Sequence, residues 1–579
     1  MIRQPFSFLF FTAAALYSLI VTAKGIVAAK GADLARIEAS LTPEDKVGQL
    51  MVIGLEGTKL GPNQRRLLQE LKPGGVVIFG RNVRSPFQVF TLLREIGKVL
   101  EKEIRPFLAT DQEGGAVVRL KHGALVFPGA MLLGAAGNPG LARKAGNATG
   151  QDMARLGFNV NLAPVMDVNS RADNPVIGIR SFGDDPDEVA IMGTAFAQGL
   201  LAGGILPVAK HFPGHGDTAV DSHGTLPKVS NDLNRLLRVE LKPFIKVFDS
   251  GFCPIVMTAH VAVPALEKDR AVIPSTLSYN VITSLLRNRL GFNGVVMTDD
   301  LGMAALAGIP TGEAAVRALE AGADMLLVSR GSNVQLAVKK AVLDALRKKR
   351  LSQERIDSSL GRILKLKKRA GILDGYVKVP FTRRPSRAGK RLVMEVARKG
   401  VTMVWNKAGA LPVRGKGRVT VLSQSLTFLK DIKRLVPKIE GWSISSRISR
   451  PSAAMIVREA LRGGDPKEII VAVTNKRGRS IMDLLKNRVK APVVLVSLGS
   501  PYLLQGGTWA DAGIAVYSFR WPACWAAASV VAGRLNPQGK LPVTIPGVAE
   551  RGRGIGFKKF RAKLSSGKAG KKEEKSFSH

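Results

Sequence analysis

The chain has 579 residues, more than one ordinary domain needs, and its 45% hydrophobic content and mean hydropathy of +0.09 are typical of a folded globular protein. Its two cysteines, Cys253 and Cys524, lie far apart, which excludes a disulfide framework and a cysteine metal motif. Lysine and arginine outnumber aspartate and glutamate by 86 to 45, and the net charge of +41 favours polyanionic surroundings, that is nucleic acid, anionic lipid or an acidic cell-wall polymer. Because the basic residues are spread along the whole chain without a nucleic-acid-binding motif, we predict no specific nucleic-acid partner.

The first 29 residues are predicted to be a signal peptide or an N-terminal anchor. Arg3 precedes an apolar run from Phe6 to Ala23, and small residues follow at Val27-Ala28-Ala29, where a signal peptidase would cleave. The run is also about long enough to remain as an uncleaved membrane anchor. Either way, we predict export to the periplasm or secretion.

Residues 33–375 alternate short apolar runs with amphipathic stretches. Near-continuous apolar strands separated by helices are typical of a parallel sheet covered by helices, and eight such units predict an α/β fold of the (β/α)8 TIM-like barrel type. An open doubly wound sheet usually has fewer strands, and no GxGxxG motif opens any unit. The predicted strands lie within 47–57, 74–80, 106–114, 158–168, 205–214, 253–261, 294–302 and 323–329, and the main predicted helices at 141–156, 190–201, 233–248, 275–290 and 334–349.

The pattern changes after residue 375. A polar, basic, proline-containing stretch predicts a linker at 376–395. A second alternating block predicts a smaller α/β sandwich domain at 396–548, and the lysine-, serine- and glycine-rich remainder predicts a disordered basic tail at 549–579. The predicted strands of the second domain are 400–405, 418–426, 468–474, 492–500 and 512–519.

Charged residues follow five of the predicted barrel strands. Because the carboxyl ends of barrel strands meet at one mouth, we expect these side chains to converge on a functional site. They are Asp111, Asp167, Lys210-His211, His260 and Asp299-Asp300.

A loop with the sequence KHFPGHGDTAVDSHGTLP (210–227) holds three of the six histidines of the chain. A zinc site is one interpretation, but the Phe-Pro-Gly between His211 and His215 prevents helical presentation of the pair, and we predict no metal. The other interpretation pairs Asp221 with His223 as an acid/base dyad, with Asp299 on a rigid strand end as nucleophile. For His215, between glycines, binding to the loop backbone is an equal alternative to catalysis.

Four motifs together resemble glycoside hydrolase family 3, in particular its β-N-acetylglucosaminidase branch. The similarity continues into the second domain at GRLNPQGKLPVTIP (533–546). The resemblance implies that Asp299 is the nucleophile, that Asp221 and His223 form the acid/base dyad, and that sugar is bound by Asp111, Arg119, Arg180, Lys210 and His211. The motifs are the histidine loop, DQEGGAVVRL (111–120), NPVIGIRSFG (174–183) and VVMTDDLGM (295–303).

The implied activity is a retaining exo-hydrolysis of terminal β-linked N-acetylglucosamine, from peptidoglycan fragments or chitooligosaccharides, without a cofactor. Alternatives within the same chemistry are a β-glucosidase or β-xylosidase and a phosphorolytic enzyme in which phosphate replaces water. Alternatives of other classes are a non-catalytic wall-binding protein and a zinc-dependent amidase. For the arginines of the set, structural ion pairing is the alternative to sugar binding.

Overall fold

The computed structural model describes residues 33–101, 104–222, 224–374, 381–382, 384–415, 417–436, 438–462, 464 and 466–557. The predicted signal or anchor segment, His223 and the tail from residue 558 onward lie outside them. Within the described ranges, no helix is both long and apolar enough to cross a membrane.

Eight parallel strands form the first sheet, in the spatial order β10-β1-β2-β3-β6-β7-β8-β9, and a bridge between Met297 and Met325 brings its two edges together. The predicted (β/α)8 barrel is confirmed, with all eight strands in the predicted segments. A short antiparallel hairpin, β4–β5, follows β3 at the carboxyl end of the barrel. The strands are β1 (Met51–Gly54), β2 (Gly75–Val77), β3 (Phe107–Thr110), β4 (Gln112–Gly114), β5 (Val117–Val118), β6 (Val160–Asn161), β7 (Leu206–Phe212), β8 (Ile255–Thr258), β9 (Val295–Met297) and β10 (Leu326–Val328).

Helices surround the barrel, and several begin at clear sequence signals. Thr42 and Asp45 form a capping box with Pro43 in the first turn, and the Asp185 side chain caps the helix that follows it. The α-helices are Leu34–Ser40, Pro43–Gln49, Pro62–Leu71, Pro86–Val99, Ala130–Ala136, Pro139–Ala154, Pro186–Ala202, Leu233–Arg238, Lys242–Asp249, Thr311–Ala321, Ser332–Arg347 and Gln353–Arg369. Short 3-10 turns lie at Gly80–Asn82, Gly178–Arg180, Pro264–Leu266, Lys268–Arg270, Ser275–Leu277 and Ala304–Leu306.

Two predicted helices differ in the structure. The predicted helix 233–248 is two helices, Leu233–Arg238 and Lys242–Asp249, because Pro243 lacks the N–H that an unbroken helix would use and fits only the first turn of a new one. The predicted helix 275–290 is a 3-10 turn followed by a π-helix at Asn280–Arg289. Neither change moves a barrel strand.

The second domain is built on a six-stranded sheet in the order β11-β16-β15-β14-β12-β13, parallel except for β11 against β16. Its α-helices are Arg387–Gly400, Leu426–Leu435, Arg450–Leu461, Arg479–Leu485 and Trp521–Val531, with 3-10 turns at Lys407–Gly409, Lys476–Gly478 and Pro501–Leu504. The strands are β11 (Thr402–Asn406), β12 (Val419–Ser423), β13 (Ile439–Ser443), β14 (Glu468–Val473), β15 (Val493–Ser497) and β16 (Ala512–Ala515).

The boundaries of this domain are wider than the predicted 396–548. The helix Arg387–Gly400 begins inside the predicted linker 376–395, because its apolar face, with Val393 and Val396, packs into the core of the domain. At the other end, the chain stays ordered beyond residue 549, since Ile555 donates its N–H to the carbonyl of Met403 at 2.9 Å. The predicted tail therefore starts no earlier than residue 558.

Barrel and second domain share one of two buried hydrophobic clusters, while the barrel interior forms the other. Leu125 and Phe182 from the barrel side belong to the same buried cluster as Val396 and the sheet of the second domain. The segment 533–546 runs along this junction, where the N–H of Lys540 bonds to the carbonyl of Ala135 at 2.9 Å. The second domain is thus positioned directly beside the carboxyl end of the barrel.

Candidate active site

Asp111 follows β3 and is clamped by two cations. Its Oδ2 accepts from Arg119 Nη2 at 3.0 Å, and its Oδ1 accepts from Lys210 Nζ at 2.8 Å. The β4–β5 hairpin returns the chain so that Arg119 lies next to Asp111, and β7 supplies Lys210. Three residues predicted to bind sugar are therefore adjacent in space.

Glu113, which the sequence reasoning missed, joins this cluster. Its Oε1 lies 2.7 Å from Lys210 Nζ, and its two oxygens accept from Arg180 Nη2 at 2.8 Å and from Arg180 Nε at 2.9 Å. The available signal was its place two residues after Asp111 in the quoted DQEGG motif. The ion pairing predicted as the alternative for the arginines is present for both Arg119 and Arg180.

The charged groups of this cluster favour each other's ionised forms. Burial alone would raise the pKa of Asp111, but Lys210 and Arg119 outweigh it and leave that pKa below its usual value. Burial opposes ionisation of Glu113 too, and Arg180 and Lys210 again lower its pKa. Burial would lower the pKa of Lys210, whereas Asp111 and Glu113 raise it above the usual value. The cluster is therefore fully charged at neutral pH.

The cluster keeps unused hydrogen-bonding capacity. An ionised carboxylate has about four acceptor positions and an ammonium three donors, so a sugar hydroxyl can be added to the existing pairs. Asp111 is 8% exposed and Lys210 2% exposed, so such bonds would form in a largely water-excluded place.

His211 is oriented by a fully buried carboxylate, Asp167. His211 Nδ1 lies 2.7 Å from Asp167 Oδ2, and the backbone N–H groups of His211 and His215 also point at this carboxylate. Burial would raise the pKa of Asp167, and His211 outweighs it, so the pKa is lowered. On the other side of the ring, Nε2 lies 3.3 Å from Arg180 Nη2. The network assigns a proton to Nδ1 and leaves Nε2 as an acceptor.

His215 binds its own loop. Its Nδ1 lies 2.8 Å from Thr218 Oγ1 and its Nε2 lies 3.0 Å from Ser222 Oγ. Burial lowers its pKa to about 4, so the ring is neutral at physiological pH. Asn174, a second residue that the sequence reasoning missed, donates its side-chain amide to the carbonyls of His215 at 2.9 Å and of Thr218 at 3.1 Å. The ring of His215 thus contacts side-chain hydroxyl groups of its own loop rather than the loop backbone.

Asp299 and Asp300 at the end of β9 have different surroundings. Asp299 is half-buried and accepts from the backbone N–H of Asp300 at 2.8 Å. Asp300 binds β10 instead: its Oδ1 accepts from the N–H of Ser329 at 3.1 Å, and its Oδ2 accepts from the Ser329 hydroxyl. His260, kept neutral by burial, which lowers its pKa, lies with Nε2 2.9 Å from the Asp300 carbonyl. Asp300 is thus occupied in joining two strands.

Of the predicted acid/base dyad, the structure describes Asp221, while His223 lies outside the described residues. The residue between them is anchored on the Asp299–Asp300 side of the mouth, because the carbonyl of Ser222 accepts from the N–H of Ala305 at 3.1 Å. Ala305 lies in the turn shortly after Asp300. In the part of the chain that the structure describes, no three histidine, cysteine or carboxylate side chains are grouped as metal ligands.

A (β/α)8 barrel whose carboxyl mouth carries a buried, charged carboxylate–cation cluster beside histidines has the layout of an enzyme active site. The family model described as "Glycosyl hydrolase family 3 N terminal domain" matches residues 42–366, more than half of the chain. The chain belongs to glycoside hydrolase family 3, and it is a glycoside hydrolase.

Relatives specify the branch of this family. The chain is 31% identical over 555 residues to beta-hexosaminidase A of Pseudoalteromonas piscicida, covering 84% of this chain and 92% of that protein. It is 36% identical over 289 residues to a beta-hexosaminidase of Pseudomonas aeruginosa, covering 48% of this chain and 82% of that protein. Among solved structures, a family 3 beta-N-acetylglucosaminidase from a Paenibacillus species superimposes with a TM-score of 0.81 at 34% identity, covering 87% of this chain and 99% of that chain. The predicted family and branch are confirmed.

Proposed function

We propose that the protein is a retaining exo-β-N-acetylglucosaminidase that acts on peptidoglycan fragments or chitooligosaccharides. The observation that carries this proposal is the contrast between two neighbouring carboxylates. Asp300 is used in binding Ser329, whereas Asp299 has only one hydrogen bond and no ion pair within the described residues. A carboxylate held rigidly at a strand end, without a cation partner, is suited to attack an anomeric carbon.

In the proposed reaction, Asp299 displaces the leaving group and forms a covalent glycosyl-enzyme intermediate. His223, oriented by Asp221, donates a proton to the leaving oxygen in this step. In the second step the same histidine takes a proton from water, which attacks the anomeric carbon and releases Asp299. Two displacements return the sugar with its original β configuration.

The charged cluster is proposed to bind the terminal sugar. Asp111 would accept from hydroxyl groups, while Lys210 and Arg119 would donate to hydroxyl or N-acetyl oxygens. Arg180 holds Glu113 and contacts His211, so its contribution is to keep these two groups in position. Because the cluster is charged and already ordered, sugar binding requires little rearrangement of protein dipoles.

Export and envelope association are the proposed cellular setting. They are supported by the apolar N-terminal segment and by the net charge of +41. Removing residues 558–579 should reduce retention on cell envelopes at low salt, and raising the ionic strength should weaken retention of the full chain. Retention that responds to neither change would refute the electrostatic association.

The reaction class is tested with 4-nitrophenyl β-N-acetylglucosaminide and the matching β-glucoside. Wild type, Asp299→Ala and His223→Ala are compared, with the exposed Asp269→Ala as a matched control. We expect turnover of the N-acetyl substrate only, reduced at least ~10³-fold in the Asp299 variant and ~10²-fold in the His223 variant, and unchanged in the control.

Other outcomes point to the alternatives. Preferred turnover of the glucoside would indicate a β-glucosidase, and turnover that requires inorganic phosphate would indicate phosphorolysis. No turnover of either substrate would favour a non-catalytic binding protein. Proton NMR of the first product separates the stereochemical courses, since an initially formed α-anomer would exclude the retaining mechanism.

A further inference from the structure

A cavity lined by residues other than those around Asp299 opens on the C-terminal domain. It has a volume of about 450 Å³ and is bordered by β11, by Thr508 and by the turn at 548–553. This volume lies within the ~300–1,000 Å³ range of small-molecule sites. None of the residues that we place in the catalytic machinery contributes to it.

Trp405 forms the aromatic wall of the cavity and is held rigidly. A β-bulge between Met403 and Trp405 interrupts the pairing of β11 with β16. The indole Nε1 donates to the carbonyl of Ala510 at 3.0 Å. The ring rests against Gly513, where a Cβ atom would come within 2.3–2.5 Å of three ring atoms. Because glycine leaves this space free, the ring is ordered before any ligand binds.

Three cations and one carboxylate stand around this ring: Lys407, Arg551, Arg553 and Glu550. Arg551 is neutralised by the barrel, since its guanidinium lies 3.1 Å from Asp184 and 2.9 Å from Asp185.

Lys407 and Arg553 are different, because the acceptors that they use are carbonyl oxygens. Lys407 Nζ donates to Thr508, and Arg553 Nε donates to Val404 at 3.2 Å. Within the described residues neither forms an ion pair. The cavity therefore presents, beside an aromatic ring, two cations that form no ion pair with any described carboxylate, Glu550 of the same lining included.

We propose that this cavity binds a pyranose ring that carries a carboxylate. The C–H face of a pyranose is apolar and suits the Trp405 ring, and a carboxylate would pair with Lys407 and Arg553 through charge-assisted hydrogen bonds. Glu550 can accept from a sugar hydroxyl. The proposal rests on the cavity residues alone and is independent of hydrolysis at Asp299.

Such a site would hold an acidic glycan on the enzyme surface. A polymer bound there keeps its remaining sugars near the barrel mouth of the same molecule, which raises their effective concentration. The ligand class is therefore a glycan that contains acidic sugar units.

The test is saturation-transfer NMR on the full chain with glucuronate, glucose and inorganic phosphate as probes, in the presence of excess N-acetylglucosamine. We expect binding of glucuronate and at least about tenfold weaker binding of glucose. Trp405→Ala, Lys407→Gln and Arg553→Gln should each weaken glucuronate binding about tenfold. Trp442→Ala and Arg447→Gln are matched controls in the same domain and should bind as wild type does.

Three results would overturn the proposal. Equal binding of glucose and glucuronate would show that the two cations play no part. If phosphate displaced glucuronate, and Trp405→Ala bound glucuronate as tightly as wild type does, the cavity would be an anion site that does not recognise the sugar ring. Absence of saturation transfer to glucuronate would remove the site altogether. The two cation variants keep the test informative even if Trp405→Ala fails to fold, and nitrophenyl-substrate hydrolysis is expected to be unchanged in them.

Discussion

His215 divides its two ring nitrogens between Thr218 and Ser222, two hydroxyl groups of its own loop. Ser222 directly follows Asp221, so a neutral ring at His215 holds the loop next to the aspartate of the proposed dyad. A protonated ring would need to donate from both nitrogens and would carry a charge in a water-excluded place. The geometry of the loop thus depends on the protonation state of the buried His215 ring.

This gives the first prediction, on stability against pH. The pKa of His215 is about 4 in the folded chain against 6.5 in an unfolded one. Between pH 6.5 and pH 4 the unfolded chain therefore takes up a proton that the folded chain excludes. As the pH is lowered through this window, the free energy of unfolding should decrease by up to about 3 kcal/mol. His215→Gln should remove this part of the pH dependence in urea titrations, and the exposed His122→Gln should keep it. Identical pH profiles for wild type and His215→Gln would contradict the prediction.

A buried lysine provides the second prediction. Lys367 is fully buried, donates to Gln49 Oε1 at 2.8 Å and lies 5.2 Å from the Phe107 ring, and burial lowers its pKa to about 7. The free energy of unfolding should therefore rise between pH 7 and 10.5, because only the unfolded chain stays protonated there. Lys367→Met should increase stability near pH 7 by on the order of 2 kcal/mol and flatten this rise. Lys365→Met, at an exposed position of the same helix, should change neither, and a destabilised Lys367→Met would contradict the prediction.

At the scale of elements, the β4–β5 hairpin links the charged cluster to the C-terminal domain. Arg520, directly before the helix Trp521–Val531, donates its Nε to the carbonyl of Gly115 at 2.7 Å. Gly115 follows the strand that carries Glu113, so the second domain supports the hairpin from outside the barrel. Loss of this contact should shift the side chains that we propose to bind sugar.

The third prediction concerns this contact. Arg520→Gln should raise KM for the nitrophenyl N-acetylglucosaminide about three- to tenfold, with a smaller change in kcat, because one hydrogen bond from a charged donor is lost. Arg534→Gln, on the surface of the same domain, should leave both constants unchanged. An unchanged KM in Arg520→Gln would show that the hairpin holds its position without the second domain.

Barrel strands were predictable because each is a short, nearly continuous apolar run, and charged residues follow five of them. The edge strand β13, with the sequence IEGWS, was not predicted, since its residues are half-exposed and it has no apolar run. The first part of the helix Arg387–Gly400 was predicted to be a linker, because basic residues dominate its sequence and its apolar face is narrow. For the site, the sequence indicated Asp111 and Lys210, but not that Glu113 bridges Lys210 and Arg180, since pairing between distant segments depends on the tertiary fold.

At the scale of the whole molecule, the two domains are not separate bodies joined by a chain segment. Leu132 of the barrel half lies within 2.5 Å of where a Cβ on Gly400 would be, so the helix Arg387–Gly400 contacts the barrel side closely. Apolar residues of both halves, among them Phe127 of the barrel half and Phe428 of the second domain, belong to one buried cluster. Separation would expose this shared surface to water, at a cost of about 25 cal/mol for each Å² of apolar area.

The last prediction follows from this shared core. Differential scanning calorimetry of the full chain should give one cooperative unfolding transition with equal calorimetric and van't Hoff enthalpies, because neither half can unfold without uncovering the other. Phe182→Ala, at the junction, removes packing worth about 3 kcal/mol. It should therefore lower the midpoint of that single transition by several degrees. Phe248→Ala, in the barrel on the side of Phe292, should lower the same midpoint rather than create a second one. Two resolved transitions, with Phe182→Ala moving both and Phe248→Ala only one, would show that the domains unfold independently. In that case the support from Arg520 would have to act between bodies that can separate, and the effect of Arg520→Gln on KM should then grow as the temperature approaches the lower transition.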